Sequence, residues 1–139
     1  MTAQEARPAS APDVAPDAGT ASAGPAVPAR RARLEAIRDD ALALAERLAR
    51  DMRAVSEARE SSNVDDEHDP EGATIAYERS QLDAIRRSAL ARVADAETAL
   101  ARLDASGDGI VRGERCGEQV PVDRLEARPT ARTCVTCAS

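Results

Sequence analysis

Apolar residues recur at steps of three and four through the middle of the chain: Leu34, Ile37, Ala41, Leu44, Leu48, Met52 and Val55. That spacing puts them on one stripe of an α-helix, close to a heptad. The other faces carry Arg38, Asp39, Asp40, Glu46, Arg47, Arg50 and Asp51, and no proline interrupts the run. A helix is predicted from about Ala29 to Ser61. A second stripe, Ile75, Leu82, Ile85, Ala89, Val93, Ala96, Leu100 and Leu103, predicts another from about Pro70 to Ala105. Between them lies an acidic turn with Asp65, Asp66, Glu67, Asp69 and Glu71. Asp69 suits a helix cap, and Pro70 suits a first helical position. Two helices of roughly thirty residues, each ~45 Å long, must fold back antiparallel to hide their stripes when the turn is short. Leucine facing alanine lets the axes come close. The expected fold is mainly α: a long antiparallel coiled-coil hairpin over 30–105 with its acidic tip at 61–72.

The flanks read differently. Residues 1–29 hold five of the eight prolines among Ala, Ser and Gly. They cannot bury enough surface to offset ordering entropy, so a disordered tail is expected. Ser106-Gly107-Asp108-Gly109 ends the second helix, and a cysteine-bearing module fills 106–139. Its apolar residues, Val120, Val122 and Leu125, are too few to fold it alone.

Composition narrows the possible functions. Aromatics are 1%, with Tyr77 the single tyrosine, and much of the 42% hydrophobic share is alanine. A thick core is excluded, which leaves long helices packed side by side. The formal net charge is −6, and every basic residue is arginine. An acidic chain is poorly suited to direct DNA binding, where affinity rests on neutralising phosphates. No apolar run approaches the ~20 residues of a membrane span, and the start, Met1-Thr2-Ala3-Gln4-Glu5-Ala6-Arg7, lacks a signal core. A cytoplasmic protein is expected, one in which clustered cysteines more often mean metal than disulfide. No catalytic triad, phosphate-binding glycine loop or apolar pocket with paired carboxylates is present. The chain does not read as an enzyme.

The three cysteines are Cys116, followed by Gly117, and the pair Cys134 and Cys137 in a Cys-x-x-Cys hook. Zinc takes four ligands in a tetrahedron, and such a hook supplies two thiolates from one tight turn. A second hook ending at Cys116 would begin at position 113, where Gly113 stands. Three thiolates still hold zinc if water or a carboxylate, Asp108 or Glu114, completes the shell. Reduced thiols without metal, or a Cys134–Cys137 disulfide under oxidation, are the alternatives. His68 lies at the far end of the hairpin and is rejected as a ligand.

Cys116-Gly117, then Arg124-Leu125-Glu126-Ala127-Arg128-Pro129, then Cys134-x-x-Cys137, resembles the DksA/TraR family of bacterial zinc-finger proteins. The motif likeness covers residues 107–138, and the hairpin with an acidic, proline-containing tip extends it loosely back to about residue 33. The resemblance implies zinc on Cys116, Cys134 and Cys137. It implies binding to RNA polymerase, with the hairpin in the secondary channel and the acidic tip near the catalytic magnesium, where it alters open-complex stability. It implies ppGpp at the polymerase interface and a monomer. The family tip resembles Asp-x-x-Asp-x-Ala. Asp69 matches the first acid, and Gly72 stands at the second. Asp65, Asp66, Glu67 and Glu71 are the other acids available as tip contacts. Longer members carry a helix after the finger that packs beside the hairpin, so a finger without it is expected to be less well anchored.

Single features have plain readings as well. Tyr77 is expected to pack in the core near the tip. The helix arginines are expected on solvated faces in intrahelical pairs such as Glu46–Arg50. The leading function is transcription regulation. The alternatives are a thiol-based redox or metal-responsive module, and a coiled-coil adaptor without polymerase activity.

Overall fold

A computed structural model describes residues 26–61 and 70–138, with the side chains of 70 and 71 excepted. Two long helices dominate: α1 over Ala26–Ser61 and α2 over Pro70–Ala105, 36 residues each and therefore ~54 Å long. A short helix, α3, spans Val122–Ala127. Among the described residues there is no strand. One isolated antiparallel bridge joins Arg112 to Gln119. The mainly α hairpin expected from the two stripes is therefore present. The expected tail, up to residue 25, and the acidic turn at 62–69 lie outside the described residues.

α1 begins four residues before the expected boundary of 30. Pro28 does not prevent this, because a first-turn N–H has no intrahelical acceptor in any case. Val27 gives the extra turn something to bury, since it packs against the core cluster at the hairpin base.

α1 and α2 pack along their length in opposite directions. Arg31 at the start of α1 pairs with Asp104 at the end of α2, while Ser56 and Arg79 line one groove at the other end. Leu34, Ala41, Ala45 and Leu48 from α1 bury against Ala89, Ala96, Ala99, Leu100 and Leu103 from α2. Ala45 and Ala99 are additions to the expected stripes. Alanine contributes little apolar area, yet its small size permits the close approach of the axes.

The distal half corrects the second stripe. Ile85 is 48% exposed, whereas Arg79 and Arg86 are half-buried at the interface. Steps of three and four run without a break through 75, 79, 82, 86, 89, 93, 96, 100 and 103. The heptad register therefore gives position 86 to the seam, and the apolar character of Ile85 is misleading. On α1, Val55 is likewise turned out and Ser56 turned in. Tyr77 is 66% exposed, so the expected core packing is not observed.

The cysteine module is not a separate globule. Val111, Val120 and Leu125 join Leu34, Ala99, Leu100 and Leu103 in one cluster, with Val27 and Ala131 packed against it. Val122 is exposed instead, since α3 turns Leu125 inward. Arginines tie the module to the helices. Arg30 donates to Gly109 O at 3.3 Å, Arg33 to Glu126 O at 2.6 Å, and Arg102 to Ala131 O at 3.2 Å and Arg112 O at 2.5 Å. These bonds anchor the module to the base of the hairpin. Arg30 and Arg102 are half-buried by these bonds, whereas Arg33 stays exposed, and among the described residues an i,i+4 helix pair forms at Asp83–Arg87, at 3.2 Å, and not at Glu46–Arg50.

Leu34 is 1% exposed at the centre of the shared cluster. Leu34→Ala should destabilise the fold by about 2–5 kcal/mol. It should loosen helix base and cysteine module together, in a single thermal transition followed by circular dichroism. Leu42, at 40% exposure, should tolerate the same change with a far smaller loss.

Candidate metal centre

Two turns bring the cysteines together. The first follows Arg112. Gly113 N donates to Glu118 O at 2.7 Å, Gly117 N to Gly113 O at 2.9 Å, and Val120 N to Val111 O at 2.8 Å. Gly117 closes the turn at φ 69°, a left-handed conformation that glycine adopts without strain. Cys116 is thereby held at the exposed rim of this turn. The second turn carries Cys134 and Cys137, and Ala138 N donates to Val135 O at 3.3 Å. The two turns are joined through Glu114 N, which donates to Arg132 O at 2.9 Å, and through the Glu114 carboxylate, which accepts from Arg132 Nε at 3.0 Å. Arg124 Nε caps Thr133 O at 2.8 Å.

The three Sγ atoms all lie within 4.8 Å of one another, with Cys116 and Cys134 at 3.4 Å. Thiolates ~2.3 Å from a shared zinc, at tetrahedral angles, would lie ~3.8 Å apart. The donor set therefore fits zinc. Cys116, Cys134 and Cys137 are the residues positioned to hold it, and as the metal of the site zinc would supply folding free energy.

The thiols are unequal. The Thr136 hydroxyl at 3.1 Å, then the Cys116 thiol and the Cys137 backbone N–H, stabilise the Cys134 thiolate and lower its pKa to about 6. The neighbouring Cys134 and Cys116 sulfurs push Cys137 up to about 11. At neutral pH, metal must therefore displace the Cys137 proton, and affinity must weaken as pH falls.

The fourth corner is the distinguishing feature. Gly113 is buried, and a Cβ built there would sit 3.3 Å from Cys116 Sγ, 3.3 Å from Cys134 N and 3.6 Å from Glu118 O. Position 113 thus faces the cluster. Neither expected carboxylate reaches it: among the described residues the cluster contains the three cysteines alone. Glu114 is held by Arg132, and Asp108 accepts from Ile110 N at 2.9 Å and pairs with Arg112 at 3.9 Å. Of the expected tip residues, Asp65, Asp66, Glu67 and Asp69 lie outside the described residues, as does His68. Glu71 is described only by its place on α2. Thr136 and the arginines that hold the two turns were not anticipated. The signal available for the latter was an all-arginine basic set flanking glycine-rich turns, since a guanidinium can reach several carbonyls at once.

Comparison with known proteins agrees with this geometry. Residues 114–139 match the family model of the prokaryotic dksA/traR C4-type zinc finger. The match includes all three cysteines and begins one residue after Gly113. The resemblance read from Cys116-Gly117, Arg124-Leu125 and Cys134-x-x-Cys137 therefore stands over this module, which has three of the four cysteines of that type. Among solved structures, transcription factor DksA2 from Pseudomonas aeruginosa is similar at 22% identity and a TM-score of 0.45, covering 76% of this chain and 80% of that one. No curated protein matches the chain.

Gly113→Cys should raise zinc affinity by orders of magnitude, because a fourth thiolate would complete the tetrahedron. Gly113 is not among the positive-φ glycines, so its backbone conformation suits a side chain, provided that Cys116 Sγ and the Cys134 backbone N, each 3.3 Å from the new Cβ, give by a few tenths of an ångström. Titration against a chromogenic chelator measures the change. Equal affinities before and after would remove position 113 from the site.

Proposed function

We propose that this chain is a cytoplasmic bacterial transcription regulator that binds RNA polymerase and acts through the acidic end of its hairpin. The observation that carries this reading is the match of residues 114–139 to the dksA/traR finger, on a module fused by one core to a long helical hairpin. Two packed helices form a rod ~54 Å long and roughly 20 Å across, slim enough for a protein channel. Zinc held by Cys116, Cys134 and Cys137 would stiffen the base of that rod.

In this reading Asp65, Asp66, Glu67, Asp69 and Glu71 act by charge near the catalytic magnesium of polymerase, and ppGpp binds at the shared interface. The protein works as a monomer, without DNA contacts of its own and without catalysis. Among the described residues no helix is long and apolar enough to cross a membrane. A thiol-responsive role is the second reading. Its expected form is a Cys134–Cys137 disulfide; the contact of Cys116 Sγ with Cys134 Sγ at 3.4 Å favours a thiol role, since it sets a second sulfur beside the Cys134 thiol, whose pKa is lowered to about 6.

Replacing Asp66, Glu67 and Asp69 by Asn, Gln and Asn removes three negative charges and leaves both seams intact. Folding should persist, apart from about 1 kcal/mol for a weaker helix cap at Asp69. Any effect on open-complex lifetime should vanish, while polymerase binding falls only moderately. A matched change of Asp39, Asp40 and Asp51 should alter neither. The assay is open-complex decay with purified polymerase, with and without ppGpp. A wild-type chain that neither binds polymerase nor changes the decay ends this reading and leaves the thiol-responsive or adaptor role.

A further inference from the structure

We infer that the three-cysteine cluster takes thiophilic ions that favour three-coordinate, pyramidal geometry, namely trivalent arsenic presented as arsenite, or Pb2+, in place of zinc. This rests on the reading that Cys116, Cys134 and Cys137 bind one ion together, and it adds which ion their geometry selects.

The argument starts from the empty corner. Zinc is satisfied by four donors, and this cluster provides three. No carboxylate or imidazole joins them among the described residues. The corner at position 113 is walled by backbone. Gly113 is buried, and even one carbon there would meet Cys116 Sγ and Cys134 N at 3.3 Å. A bulky exogenous thiol cannot enter from that side.

An ion with a lone pair has the opposite requirement. It completes its shell with three thiolates and leaves the fourth direction to the lone pair, which needs neither donor nor room for a side chain. Soft thiolates select soft ions in any case. With arsenite the exchange balances without redox change. Three As–S bonds form and three As–OH bonds break, and each thiol proton leaves with a hydroxide as water. The exposed rim at Cys116 gives the ion a way in.

The test uses the full chain, reduced and given one equivalent of zinc. Arsenite and Pb2+ are titrated separately. Zinc release is read with a chromogenic chelator, the arsenic adduct by intact mass, and lead by its thiolate charge-transfer absorption. One equivalent of arsenite should release the zinc and give a one-to-one adduct. Pb2+ should give the absorption band. Cys116→Ser, Cys134→Ser and Cys137→Ser should each lose both signals. Gly113→Cys should reverse the preference and keep its zinc under the same arsenite. Wild-type zinc that resists excess arsenite and Pb2+ would overturn the inference and leave the zinc site standing. An arsenic adduct that persists in Cys137→Ser would also overturn it, because two thiols would then suffice. A chain that binds none of the three ions would remove the shared site itself.

Discussion

The burial of Leu34, Leu100 and Leu103 against Val111, Val120 and Leu125 is the contact on which the remaining structure depends. The chain has no Trp or Phe and uses alanine over much of its helical seam. Buried large aliphatic side chains are therefore scarce, and among the described residues all of them but Leu48 lie in the cluster at the base. There they serve two partners at once, closing the open end of the hairpin and providing the module with the interior that its own residues cannot supply. Removing either partner would expose the other's apolar face.

Polar contacts follow from the same economy. The module has one bridge and little regular structure, so many of its backbone carbonyls need partners from elsewhere. Arg30, Arg33, Arg102 and Arg124 meet that need at Gly109, Glu126, Ala131, Arg112 and Thr133. Lysine would do this poorly, because an ammonium is a compact point charge whereas a guanidinium is a broad planar fork. Arg102 spans two carbonyls from α2 and lies 3.9 Å from Glu114, so it joins the hairpin to both cysteine turns.

Much of this was legible in the sequence because helical periodicity survives weak side chains. Leu34, Ala41, Leu48, Ala89, Ala96, Leu100 and Leu103 declare the seam by spacing alone. The cysteines and Gly113 declare the site by type and interval. Reading failed where chemical character and register disagree. Ile85 looks like seam and is not, while Arg79 and Arg86 occupy seam positions because a long aliphatic stem can lie along the interface with its charged head at the edge. Tyr77 failed for the same reason, since it falls between seam positions 75 and 79. The merging of module and hairpin was illegible for a different reason. Val111 and Leu34 lie far apart in the chain, and no local pattern announces a contact of that range.

The shared core also explains how the metal centre could lose a ligand and keep its shape. In an independent finger, metal binding contributes roughly 10–16 kcal/mol and is the folding free energy. Removing a thiolate from such a finger would threaten the fold itself. Here the first turn is held by backbone bonds at Gly113, Gly117 and Val120. Its apolar neighbours, Val111 and Val120, are anchored on helices that need no metal. The ligand set is thus partly released from its structural duty, and position 113 is free to be glycine. A cluster relieved of folding the protein is one whose choice of ion can be set by geometry, which is the property that the buried Gly113 corner confers.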